Sequence, residues 1–203
     1  MSYYNYLYRP IQNLINLLLV KKNFNTQVVN FLEKNNEYDE IHEIGCSDGN
    51  LLQHINLKNK KYYGYDIDLI NINKARSRYK KKKNINFYYK SIDDISIKNQ
   101  KKKLFILIGV FHHINDNQIL NFVKKLSKRE HVIALDGFYH KNQNLFDILI
   151  KKFDKGNYIR TYSEYKKVLP NFILRKKISV YARCISHLVS LKNIDPKIIN
   201  IFF

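Results

Sequence analysis

Cysteine is scarce in this chain, and the two present, Cys46 and Cys184, form no metal-ligand or redox spacing. A reduced, cytoplasmic setting is the simplest reading. Proline and glycine are also sparse, at three and six residues. No stretch rich in either marks a linker, and no internal repeat divides the sequence. Long apolar runs are missing as well: Leu14 to Val20 is too short to cross a bilayer and is interrupted by Asn16. The N-terminus lacks a basic-then-apolar signal pattern and a glycine at position 2, and the C-terminus lacks a lipidation cysteine. Acidic residues are few, 17 against 36 lysines and arginines, for a net charge of +19. Such an excess invites a nucleic-acid reading. The lysines are spread among many Asn, Ile and Tyr, however. The densest runs, Lys80 to Lys83 and Lys101 to Lys103, lie just before apolar stretches and read as solvated loop charge. Nucleic acid is therefore not the favoured partner. A basic surface still suits anions, whether phosphorylated small molecules, RNA or acidic lipid.

What is present is the composition of a folded domain. With 203 residues, 45% of them hydrophobic, the chain is long enough for one substantial core. Tyr3, Tyr4, Leu7, Tyr8, Ile11, Leu14, Ile15 and Leu18 recur at helical spacing, broken near Pro10, and read as one or two amphipathic helices. A further helix follows from Thr26 to Lys34. Strands are expected at Glu40 to Ile44, Lys61 to Tyr65, Ile85 to Tyr89, Leu104 to Gly109 and His131 to Leu135. Helices are expected at Leu69 to Tyr79, Asn117 to Ser127, Leu145 to Phe153 and Ser163 to Leu169. Two strand-like stretches, Ile173 to Tyr181 and His187 to Leu191, close a single domain spanning 1–192, and 193–203 is a tail outside the pattern. Strand–helix alternation predicts an α/β fold with helices on both faces of a mostly parallel sheet.

The segment Glu43-Ile44-Gly45-Cys46-Ser47-Asp48-Gly49-Asn50 is the most informative. It follows an apolar strand and precedes a helical pattern. Glycines let a backbone approach a ligand, and a helix N-terminus presents free N–H groups. The bland alternative is a tight turn. Glu43 argues against a dinucleotide pyrophosphate, which a carboxylate would repel, and the stretch lacks the Gly-x-Gly-x-x-Gly fingerprint. A ligand carrying ammonium and sulfonium charge suits it better. The second strand ends in Asp66, about 20 residues past the first glycine, where an acid meets ribose hydroxyls in the comparable dinucleotide fold. Asp66 is assigned to ribose and Asp68 to capping the next helix. The fourth strand ends Gly109-Val110-Phe111-His112-His113-Ile114.

In order and spacing, these motifs resemble those of the class I S-adenosylmethionine-dependent methyltransferases, in particular the type that acts on small molecules. The resemblance covers the first two thirds of the chain. It implies a Rossmann-like, seven-stranded, mostly parallel sheet whose last strand inserts antiparallel, with residues 1–24 closing the site as an N-terminal helical lid. It also implies S-adenosyl-L-methionine as cofactor, held by Glu43, Gly45, Cys46, Gly49, Asp66, Ile67, Ser91, Ile92 and Gly109. Two departures stand out. Ser47 occupies a position usually held by glycine, and Ser91 one often held by an aspartate that contacts the adenine amino group, a role Ser91 or Asp93 would take here. The acceptor is expected to be a small molecule, such as a lipid, glycan precursor or specialised metabolite, with an anionic group as an option. The alternatives are an RNA or protein methyltransferase, or a non-catalytic domain that keeps the fold.

Candidate general bases at the strand ends are His112, His113, Asp136 and His140, with His113 favoured and His140 next. Each of these also fits a surface or capping role. No metal site is expected, because adjacent histidines rarely converge on one ion. Gly137-Phe138-Tyr139 is expected to follow the fifth strand as part of an acceptor pocket. Arg160 either grips a substrate carboxylate or phosphate or pairs with Asp154.

Overall fold

The computed structural model describes residues 21–97, 101–143, 145–153, 156–178 and 186–194. Within them lie strands β1 (Glu40–Ile44), β2 (Lys61–Asp66), β3 (Ile85–Tyr89), β4 (Lys103–Ile108), β5 (Glu130–Tyr139), β6 (Arg160–Thr161), β7 (Ile173–Ile178) and β8 (Ser186–Lys192). The helices are α1 (Lys21–Lys34), α2 (Leu69–Tyr79), α3 (Asp116–Lys125), α4 (Leu145–Phe153) and α5 (Tyr162–Val168). The main sheet has the order β3–β2–β1–β4–β5–β8–β7, and the two-residue β6 pairs with the far end of β5. Strands β1 to β5 pair in parallel, and β8 runs antiparallel between β5 and β7.

Strand β4 is central because both of its faces are covered. Leu104, Phe105, Ile106 and Leu107 have no accessible surface, as a continuous apolar run in a parallel sheet requires. On one face, Val28, Phe31 and Leu32 of α1 and Ile72 and Ala75 of α2 pack with Ile41, Leu104 and Ile133. On the other, Ile119, Phe122 and Val123 of α3 and Tyr165 and Val168 of α5 pack with Phe105, Leu107 and Val132. Side chains start three of the helices. Asp68 accepts from the Ile70 and Asn71 amides, as expected of a cap, and capping boxes join Asn115 to Gln118 and Thr161 to Glu164.

Two expectations are corrected. No α-helix follows the glycine turn: the β1–β2 connection contains one 3-10 turn, Leu51–His54. The apolar pattern there is too short, and Asn56 and Lys58 interrupt it. Gly137-Phe138-Tyr139 is not a loop but the end of β5, because β8 pairs with Gly137 and β6 with Phe138 and Tyr139. The expected lid helices at 1–20 and the tail beyond residue 194 lie outside the described residues. Among the described residues, no helix is long and apolar enough to cross a membrane.

Candidate functional site

The strand order reverses direction between β1 and β4, and ligands of open α/β sheets bind beyond the carboxyl ends of the strands at such a point. A glycine ends the strand on each side: Gly45 with φ 74° after β1 and Gly109 with φ 67° after β4. A Cβ built on Gly45 would stand 2.7 Å from Val110 Cγ2, so the two turns approach as closely as only glycine permits. The first turn is pinned to β2. Gly45 and Cys46 donate to the Tyr65 carbonyl at 2.8 and 3.1 Å, and the Ser47 amide donates to Asp66 Oδ2 at 2.8 Å. Ser47 itself has φ 51°, a left-handed conformation usual for glycine. Gly49 has φ 80° and leaves room for the Tyr79 and Phe87 rings.

The residues expected around a cofactor fall into two groups. Asp66, Ile67 and Ser91 stand at the surface of this end. Asp66 is part-exposed, and its Oδ1 accepts from the Asp68 amide at 2.8 Å, which leaves its carboxylate with further lone pairs. Ile67 is 72% exposed, an apolar side chain turned to solvent beside that carboxylate. Ser91 accepts from the Asp93 amide, and Asp93 accepts from Gln118 of α3 at 2.7 Å on one oxygen and is exposed. Glu43, Cys46 and Ile92, by contrast, are buried. Glu43 accepts from the Tyr62 hydroxyl beneath the turn. The Cys46 thiol packs against Gly64, and burial, reinforced by Glu43 and Asp66, pushes its ionisation upward. Ile92 belongs to the core. Glu43 and Cys46 thus shape the turn from below.

The β4–β5 end is built differently. Asp136, 2% exposed, accepts the amides of Val110 (3.1 Å), Phe111 (2.8 Å) and His112 (3.2 Å), and also meets His112 Nδ1. A carboxylate only accepts, so it places the imidazole proton on Nδ1. Gly156 rests on the His112 ring, where any Cβ would collide with it, and Tyr158 donates to the His112 carbonyl at 3.0 Å. Of the candidate bases, Asp136 and His112 are therefore committed to each other beneath the surface. His113 is exposed, with its ring centroid 4.1 Å from that of His112. His140 follows β5 half-buried, its ring 5.4 Å from Phe138.

Of the two expectations for Arg160, the pairing with Asp154 lies outside the described residues, and the donors expected for a substrate anion are taken up within the fold. Arg160 is 4% exposed. Its Nε donates to Asp116 Oδ1 at 2.8 Å, Nη1 to the carbonyls of Phe111 (2.7 Å) and Tyr158 (3.0 Å), and Nη2 to that of Ile114 (2.7 Å). The planar guanidinium staples the double-histidine loop to β6, and its donors are occupied before any substrate arrives. Sequence reading also missed Lys151, whose buried ammonium donates to Asp147 at 2.7 Å and to the Phe138 carbonyl at 2.6 Å. Burial lowers its pKa. The i, i+4 spacing of Asp147 and Lys151 was the available signal. Among the described residues, no group of three His, Cys, Asp or Glu could hold a metal ion.

Residues 41–129 match the family model described as a methyltransferase domain. The whole described sheet is similar to solved methyltransferases. The N-methyltransferase NodS from Bradyrhizobium japonicum is 16% identical, with a TM-score of 0.64, over 86% of this chain and 97% of that one. The mitomycin 7-O-methyltransferase MmcR is 10% identical, with a TM-score of 0.64, over 86% of this chain and 53% of that one. Human N-acetylserotonin methyltransferase, solved with S-adenosylmethionine, is 13% identical, with a TM-score of 0.60, over 85% and 52%. The chain thus spans about half the length of the latter two enzymes. No curated protein sequence matches it. The described residues have the Rossmann-like, mostly parallel architecture expected from the motifs.

Proposed function

We propose that the protein is a methyltransferase that uses S-adenosyl-L-methionine to methylate a small-molecule acceptor in the cytoplasm. The observation that carries this reading is the Asp66 carboxylate. It grips the turn after β1 through Ser47 while keeping lone pairs at the surface, inside a segment matching a methyltransferase domain. NodS has also been solved with S-adenosylhomocysteine.

The residues present suit this cofactor. Asp66 is placed to accept from ribose hydroxyls, and the exposed Ile67 offers an apolar face for a base. Ser91 supplies a hydroxyl at the neighbouring strand end. Gly45 and Gly109 hold the two turns apart from any side chain, as a cradle for a closely approached ligand must. When bound, S-adenosylmethionine supplies an electrophilic methyl group on sulfonium. Orientation of the acceptor against it is then the protein's main contribution. His113, exposed on the loop that Asp136 and Arg160 hold still, takes the acceptor's proton where that acceptor is a hydroxyl, and His140 is the second candidate. The O- and N-methyltransferases among the structural neighbours support a small acceptor without selecting its reacting atom.

Calorimetric titration with S-adenosylmethionine and S-adenosylhomocysteine tests the reading. Saturable binding of both by the native protein, weakened in Asp66→Ala, is the expected result. No binding of either would reduce the glycine segment to a turn.

A further inference from the structure

The net positive charge is not spread evenly over the fold. Residues 21–56 carry three lysines against six acids, whereas residues 57–92 carry eleven lysines and arginines against two aspartates. Those two, Asp66 and Asp68, sit together after β2 at the cofactor end.

Folding gathers the basic residues further. The connection before β2 and the connection before β3 meet at the amino-terminal edge of the sheet: Tyr62 donates to the Asn84 carbonyl at 2.9 Å, and Asn84 Nδ2 to the Lys60 carbonyl at 3.0 Å. Lys58, Lys61 and Lys80 to Lys83 are thereby brought into one exposed cluster. None of them forms an ion pair among the described residues. Lys60, burying its stem among them, has its pKa lowered by desolvation and by Lys58. From this cluster β3 runs along the open edge of the sheet to Tyr89, 57% exposed, and then to Lys90, whose ammonium lies 5.8 Å from the centroid of the Tyr88 ring. Lysines on an edge strand can serve only to block sheet-to-sheet pairing. That does not account for Lys58, Lys61 or Lys80 to Lys83, which lie in connections or at a strand's first residue, beyond the run of β3.

We infer that this β3 edge is a docking surface for single-stranded RNA. Unpaired lysines at one end neutralise phosphates, and Tyr89 beside Lys90 offers a ring on which a base stacks. A charged groove with aromatic platforms is the arrangement that single strands use. An acidic membrane is the weaker partner, because the exposed apolar side chains Ile67, Leu69 and Ile70 stand with Tyr89 at the far end of the strands and none is exposed among the lysines to insert, whereas a single strand running along β3 can reach from the lysines to Tyr89. The inference does not depend on the cofactor or acceptor proposed above.

The experiment is fluorescence anisotropy of a labelled oligoadenylate RNA titrated with the native protein over a range of salt concentrations. Log affinity is expected to fall linearly with log salt. Replacing Lys80 to Lys83 together by glutamine should remove about 3 from that slope, at about 0.7 per phosphate contact on a single strand. Tyr89→Ala should weaken binding roughly tenfold at unchanged slope, the loss of one base stack. All five side chains are exposed, so circular dichroism and thermal unfolding of the variants should match the native protein. Absence of binding at low salt, or a slope that survives the lysine replacement, would overturn the inference. So would tighter binding to phosphatidylserine vesicles than to the RNA, an outcome that would assign the surface to a membrane.

Discussion

The two halves of the cleft end differ in how much of their hydrogen-bonding capacity the protein uses itself. Around β1 and β2, Asp66 and Ser91 keep lone pairs or a proton to offer and Ile67 faces solvent. Around β4 and β5, Asp136 accepts from three amides and one imidazole, Arg160 spends its donors on Asp116 and three carbonyls, and Gly156 seals the His112 ring. The first half is arranged to receive a ligand, the second to hold a loop still. The transfer proposed above would need both, since a group that positions must not also be free to move.

The contrast can be broken most forcefully at Arg160. Arg160→Ala leaves the Phe111, Tyr158 and Ile114 carbonyls without their donor, and a stability loss of about 3–5 kcal/mol is expected from about 1–3 kcal/mol for each unsatisfied acceptor, read from urea unfolding. Arg160→Lys should recover little, because an ammonium cannot match the planar fork. If Arg160→Ala unfolded at the native urea midpoint, the rigid half would not be rigid for the reason given.

Beneath the receptive half lies His42, stacked on Tyr63 and bonded to the Tyr65 hydroxyl and to Glu40. Burial lowers its pKa to about 4, against a smaller upward pull from Glu40. The folded protein thus keeps His42 neutral where the unfolded chain, near 6.5, is already charged. Acid therefore favours unfolding. Stability should decline by about 3 kcal/mol as pH falls from about 6.5 to about 4 and then level off for this group. Denaturation midpoints across that range should show the decline, and His42→Phe should flatten it.

At the surface of the same half, Asp66→Asn should cost about 2 kcal/mol of cofactor binding, roughly thirtyfold in affinity by calorimetry. Stability should fall far less than for Arg160→Ala. The smallest effect belongs to Ser47→Gly. Relief of the positive φ is offset by the larger entropy that glycine loses on folding, so the unfolding midpoint should shift by less than about 0.5 kcal/mol. A large shift would mean that the turn is as tightly determined as the β4–β5 end.

The receptive half was legible in the sequence and the rigid half was not, for a physical reason. A turn that needs glycine and a strand that ends in an acid announce themselves through residue type. Asp68 as a helix cap and the continuous apolar run of β4 are legible in the same way. Arg160 is bound chiefly by backbone carbonyls, which every residue possesses, so nothing in the letters distinguishes it from a surface arginine. Gly156 looks like flexibility in a loop, whereas it is small because His112 occupies the space. Asp136-Gly137 resembles the end of a strand until β6 and β8 arrive to extend it. The helix expected after the glycine turn failed through length, since Leu51, Leu52, Ile55 and Leu57 suffice for burial but not for sustained turns.

The antiparallel placement of β8 also bears on how the chain is made. Strand β5 lies in the interior of the sheet, yet its neighbour on one side is completed by residues 186–192, synthesised about fifty positions later. Until they emerge from the ribosome, the apolar residues of β5 border an unpaired edge, the condition under which nascent chains associate with one another. A sheet of this topology cannot be finished progressively from the N-terminus. Completion waits for a late pairing over a long loop, which slows folding and leaves truncated products with an unpaired edge exposed to aggregation.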